Sequence, residues 1–97
     1  MIGPDVKQAR GPSASTAQVL FFGKVGDILG PRCQIALPPE GLSVAELRRR
    51  LEDVVEGAAE ALGERGVKVA VDLEFVGEDA RVRPGQEVAF LSMFSGG

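Results

Sequence analysis

The sequence ends in Ser95-Gly96-Gly97, and a carboxylate carried on two glycines invites group-transfer chemistry. Without Cβ atoms, Gly96 and Gly97 can thread a narrow channel at any backbone angle, which would bring the Gly97 carboxylate into another protein's pocket. A carboxylate resists nucleophiles at neutral pH until one of its oxygens becomes a leaving group. Adenylation by ATP supplies that leaving group, and attack of a sulfur donor on the adenylate would leave a thiocarboxylate. Gly97 is therefore the candidate reactive residue, and Gly96 provides the clearance for tail threading.

Other chemistries lack their parts. The chain has no histidine and one cysteine, Cys33, so it assembles neither the usual zinc ligand sets nor an internal disulfide. Cys33 reads as a packing residue at the start of a strand, with nothing beside it to lower its pKa. No nucleophile has an evident base next to it, and no glycine-rich phosphate loop joins a strand to a helix. At 97 residues one small domain forms, too small to wall off a deep substrate pocket. No independent enzymatic activity, bound metal or tightly bound cofactor is expected, and chemistry at Gly97 requires a partner.

The net charge of -3, with both signs interspersed, argues against nucleic acid as a partner. No stretch has the apolar length to span a membrane. The opening Met1-Ile2-Gly3-Pro4-Asp5 lacks the basic-then-apolar order of a secretory signal. A cytoplasmic location is expected.

The elements that must position the tip are legible in order. Residues 1–17 are rich in Gly, Pro, Ser and Thr and read as a tail that cannot bury enough surface to offset its ordering. Val19-Leu20-Phe21-Phe22 is a β-branched and aromatic run without alternation, as in a central strand covered on both faces. Gly23, Gly26 and Gly30 leave room for a turn or short helix, and a second strand follows through Gln34-Ile35-Ala36-Leu37. Ser43-Val44-Ala45-Glu46 has the form of a capping box and opens the main helix. Val44, Leu47, Leu51, Val54, Val55 and Ala58 recur at helical spacing on one stripe, with the helix able to continue to Leu62. Arg48, Arg49, Glu52 and Asp53 form a charged opposite face at pairing distance.

Beyond the turn at Gly63 to Gly66, Val67, Val69 and Val71 alternate as a half-buried strand, and Leu73-Glu74-Phe75-Val76 is a further extended piece. Arg81 to Gln86 reads as a loop with a Pro84-Gly85 turn, and Glu87 to Leu91 is the last strand. Two apolar strands at the chain's two ends predict a parallel pair in mid-sheet under a helix. The expected fold class is α+β, a β-grasp with a mixed sheet and one main helix across it. Residues 18–91 form the domain and 92–97 the extended tail.

On Val19-Leu20-Phe21-Phe22-Gly23-Lys24, the Gly30 turn, Pro84-Gly85-Gln86-Glu87-Val88-Ala89-Phe90 and the Gly96-Gly97 end, the sequence resembles the ubiquitin-like sulfur carriers, most closely the small subunit of molybdopterin synthase. The likeness covers residues 18–97. It implies adenylation of Gly97 by an E1-like enzyme that uses ATP, a sulfur donor system that makes the thiocarboxylate, and a large synthase subunit in which the tip gives sulfur to cyclic pyranopterin monophosphate. That assembly pairs two small with two large subunits. It also implies a partner-binding apolar patch near the tail that maps to Phe22, Phe75 and Leu91, although Phe22 and Phe75 could equally belong to the core. The chain departs from the family where Ser92-Met93 replaces a proline pair, where Phe94 replaces a smaller aliphatic, and at Asp72, where asparagine is common. A carrier for thiamine thiazole or tRNA thiolation would use the same tip, and a non-catalytic β-grasp interaction module remains the alternative from another class.

Overall fold

The computed structural model describes residues 15–64 and 66–92. The chain order is β1 (Thr16–Phe22), α1 (Lys24–Leu29), β2 (Arg32–Ala36), β3 (Leu42–Ser43), α2 (Val44–Val54), α3 (Ala58–Leu62), β4 (Val67–Val71), β5 (Glu74–Val76), β6 (Arg81–Val82) and β7 (Glu87–Ser92). Five strands form one sheet in the order β2-β1-β7-β4-β5, and β3 pairs with β6 in a small second ladder. β1 and β7 run parallel, with Phe21 opposite Phe90 and Phe22 opposite Leu91. The remaining pairs are antiparallel. The β-grasp expected from the two apolar end strands is the fold observed.

The core lies between one sheet face and the helices. Val19, Phe21, Val88 and Phe90 meet Val44, Leu47 and Leu51 of α2 there, and the Phe21 and Phe90 rings stack with centroids 6.2 Å apart. Leu47 and Leu51 are fully buried, each contributing about 1.5–3 kcal/mol of apolar burial. The expectation that β1 is covered on both faces is corrected. Its burial alternates, with Ala17, Val19 and Phe21 inside and Phe22 48% exposed. The helices cover only one face, and β1 reads as continuously apolar because its open face carries Leu20 and Phe22 as well. β1 also takes in Thr16 and Ala17, which composition alone assigns to the tail, and β7 runs one residue further than read, to Ser92.

The capping box forms as read, with the Glu46 N–H donating to Ser43 Oγ at 3.1 Å and the Ser43 N–H donating to Glu46 Oε1 at 2.9 Å. The helix does not continue to Leu62. Val55 is extended and Gly57 sits at φ 86°, in the left-handed region, so the chain breaks and restarts as α3. Val54 therefore leaves the buried stripe and is 61% exposed.

Arg48 does not keep to a solvated face. Its guanidinium lies 5.5 Å from the centroid of the buried Phe90 ring, donates to the Leu62 carbonyl at 2.7 Å and pairs with Glu78. Arg81-Val82, read as loop, forms β6 because Val82 is an inward apolar anchor with no exposure. Gly41 permits this, since a Cβ there would collide with the Val82 carbonyl.

Candidate functional site

The strand that leads toward the C-terminal glycines is held on both sides, by β1 and by β4. At its end Ser92 lies opposite Val67. Along β7 the side chains of Val88 and Phe90 face the helices, and by the same alternation Ser92 does too. Its hydroxyl oxygen accepts a hydrogen bond from the Val25 N–H at 2.9 Å. Val25 is in the first turn of α1, whose own N-cap residue, Gly23, has no side chain to offer. Ser92 thus satisfies a helix-start donor that the local chain leaves open. Gly23 sits at φ 73°, and a Cβ on it would lie 3.0 Å from the Ser92 carbonyl oxygen and 3.2 Å from Ser92 Cβ. Glycine here serves both the backbone angle and the close approach.

Among the described residues no helix covers the other sheet face, and the register shows what it presents. Leu20, Ala89, Ala70 and Phe75 follow one another across β1, β7, β4 and β5. One step closer to the end of β7, Phe22 lies opposite Leu91, and Leu91 opposite Lys68. Phe22 at 48% and Phe75 at 62% exposure are large apolar side chains left to solvent. A hollow of about 430 Å³ adjoins Phe75, lined by Lys68, Val69, Val76 and Gly77 as well. Two cations flank the apolar band, Arg32 opposite Leu20 and Lys68 opposite Leu91.

The β4–β5 hairpin closes beside this band through two residues in the left-handed region, Asp72 at φ 49° and Leu73 at φ 73°. A two-residue hairpin demands that conformation. Asp72 holds the turn, since its Oδ1 accepts from the Glu87 N–H at 3.0 Å and its Oδ2 from Gln86 Nε2 at 2.9 Å. Leu73 is held in a conformation that costs an L-residue about 1–2 kcal/mol, and it is 91% exposed.

Phe22, Leu91 and Phe75, named from sequence, all fall on this open face, Phe22 and Leu91 in direct opposition and Phe75 two strands from Leu91. Gly96 and Gly97 lie outside the described residues. Among the described residues no three His, Cys, Asp or Glu side chains come together to hold a metal ion, and no helix is long and apolar enough to cross a membrane. Cys33 is half-buried in β2, and burial raises its thiol pKa, which suits packing rather than nucleophilic chemistry. Sequence reasoning missed Leu20 and Ala89 in the open band, and it missed the Ser92–Val25 bond. No local pattern signals a cap drawn from another strand.

The sequence matches the model of the ThiS family over residues 19–97. The chain belongs to the ThiS family. Such proteins are ubiquitin-like sulfur carriers of the ThiS/MoaD type. Several solved structures share the fold of this ThiS-family chain. The solution structure of the Haloferax volcanii HVO 2177 protein is 21% identical at a TM-score of 0.69 and covers 98% of both chains. Urm1 from Trypanosoma brucei is 21% identical at a TM-score of 0.67, over 86% of this chain and 96% of its own. A chain from the complex of subunits 1 and 2 of the molybdopterin-converting factor of Helicobacter pylori 26695 is 23% identical at a TM-score of 0.60, over 84% and 99%.

Proposed function

We propose that this sulfur carrier serves as the small subunit of a molybdopterin synthase. The observation that carries the reading is the placement of the strand that leads to Gly97. β7 lies at the centre of the sheet, and its last described residue, Ser92, directly follows Leu91 of the open apolar face. The five residues that follow could reach about 17 Å at extended spacing. A partner seated on Phe22, Leu91 and Phe75 would then receive the tip in its own pocket.

In this reading the Gly97 carboxylate attacks the α-phosphorus of ATP on an E1-like activating enzyme and pyrophosphate leaves. Sulfide from the donor system then forms a bond to the carbonyl carbon, AMP departs with the carbon–oxygen bond it held, a proton is lost, and a thiocarboxylate remains. Inside the large subunit that sulfur bonds to a carbon of cyclic pyranopterin monophosphate in place of an oxygen substituent, water cleaves the resulting Gly97 thioester back to the carboxylate, and a second loaded carrier supplies the second sulfur of the dithiolene. The catalytic groups for transfer belong to the large subunit, and the complex pairs two copies of each. The subunit 1 and 2 complex from Helicobacter pylori, whose fold this chain shares, supports a large-subunit partner.

The test is intact mass spectrometry after incubation with the activating enzyme, ATP and a sulfur source. The expected result is a gain equal to exchange of one oxygen for sulfur, lost when Gly97 is deleted. Unchanged mass beside an enzyme active on its own carrier would point instead to a non-catalytic interaction module. Restored molybdoenzyme activity in a strain lacking the small subunit assigns the product. The shared fold with Urm1 keeps a second reading, a carrier for tRNA thiolation or thiamine thiazole, which rescue of those products alone would establish.

A further inference from the structure

Ser92 is joined to the body of the domain at two points, by its ladder position opposite Val67 and by the bond from the Val25 N–H to its hydroxyl. The two attachments lie on different elements, β4 and α1, so they fix the direction of the last described residue as well as its position. Gly23 completes the joint, because a side chain there would press on the Ser92 carbonyl oxygen and Cβ. Chain ends open at the lowest free energy in a fold, and a side-chain bond to a second element raises that cost.

We propose that Ser92 is a positioning residue for the C-terminal tip: by capping α1 at Val25 it fixes the position and heading of the chain at residue 92, from which Gly97 is presented. A tip launched from a fixed root spends less of its binding energy on ordering when it enters the activating enzyme. The proposal rests on the carrier reading above. Ser92 touches no reacting atom and acts through the chain that follows it.

The test compares full-length wild-type chain with Ser92→Ala, Ser92→Thr and Ser43→Ala, the last removing the corresponding cap from α2. Two readouts are taken, hydrogen exchange at the Val25 amide and ATP–pyrophosphate exchange by the activating enzyme with the chain as varied substrate. Ser92→Ala is expected to speed Val25 exchange roughly fivefold and to raise KM roughly three- to tenfold with kcat nearly unchanged. Ser92→Thr keeps a hydroxyl and restores both values. Ser43→Ala lowers the melting temperature comparably but leaves KM at the wild-type value. An unchanged KM in Ser92→Ala, or an equal rise in Ser43→Ala, overturns the positioning role. Absence of pyrophosphate exchange with the wild-type chain, beside an enzyme active on its own carrier, overturns the carrier reading and the proposal with it. Ser92→Ala alone losing affinity, with Thr rescuing it, supports both.

Discussion

Helices α1 and α2 each begin at a serine hydroxyl, but the two hydroxyls reach their helices by different routes. Ser43 caps α2 from within its own chain segment, three residues before the Glu46 amide it binds, and Glu46 returns the bond. Ser92 caps α1 from another strand, 67 residues from Val25. The first cap forms whenever the helix forms. The second forms only when β7 has docked between β1 and β4, so it couples the start of α1 to completion of the sheet and to the root of the tail. A local cap stabilises one element, while a long-range cap ties one element's integrity to another's position.

The comparison can be broken most severely at Gly23. Replacing Gly23 with Val puts a β-branched side chain at φ 73° against Ser92, and urea unfolding should register a loss of about 2–4 kcal/mol from backbone strain and crowding together. A loss below about 0.5 kcal/mol would mean that Ser92 does not sit where the bond requires. Next in size, Ser43→Ala and Ser92→Ala should each cost about 1 kcal/mol. Combined, they should add to within about 0.5 kcal/mol, because the two caps share no partner. Strong non-additivity would show that the caps are one cooperative unit.

A stabilising change at the hairpin sets a third region beside the two caps. Leu73 occupies the left-handed region in full exposure and no cap relieves it. Leu73→Gly should therefore raise stability by about 1 kcal/mol in the same unfolding assay, and a loss would show that Leu73 makes an apolar contact which outweighs its strain.

The smallest effect separates the caps by pH. Glu46 accepts the Ser43 amide and so holds its carboxyl below the ordinary value of 4.5, with the Ser43 side chain acting in the same direction. A depressed folded-state pKa contributes stability above the unfolded value and loses it as pH falls through the folded one. Wild type and Glu46→Gln should thus begin to converge in melting temperature as pH falls below about 4.5 and meet only below the depressed folded-state value, whereas the difference between wild type and Ser92→Ala should hold constant there, since neither partner of that cap titrates. A gap for Glu46→Gln that persists into acid would remove the charge from the account of the α2 cap.

Much of this molecule was legible because it is local or periodic. The capping box needs only Ser43 and Glu46 at fixed spacing, and the two apolar end strands announce a parallel central pair. The same periodicity misled where tertiary cover decides the outcome. Phe21 and Phe22 are adjacent and identical in type, yet one is core and the other exposed, because side chains alternate and the helices lie on one face only. Arg48 reads as a surface charge until Phe90, Leu62 and Glu78 converge on it. Val54 fits the helical stripe until Gly57 breaks the chain.

By itself the sequence determined the family, the β-grasp and the glycine tip, since each rests on residue type, spacing or strand pattern. The tertiary structure alone decided that Phe22, Leu91 and Phe75 share an open face and that Ser92 of the last strand is bonded to Val25. Both depend on which strands become neighbours and which face the helices cover, and those choices follow from closing the whole sheet around one core.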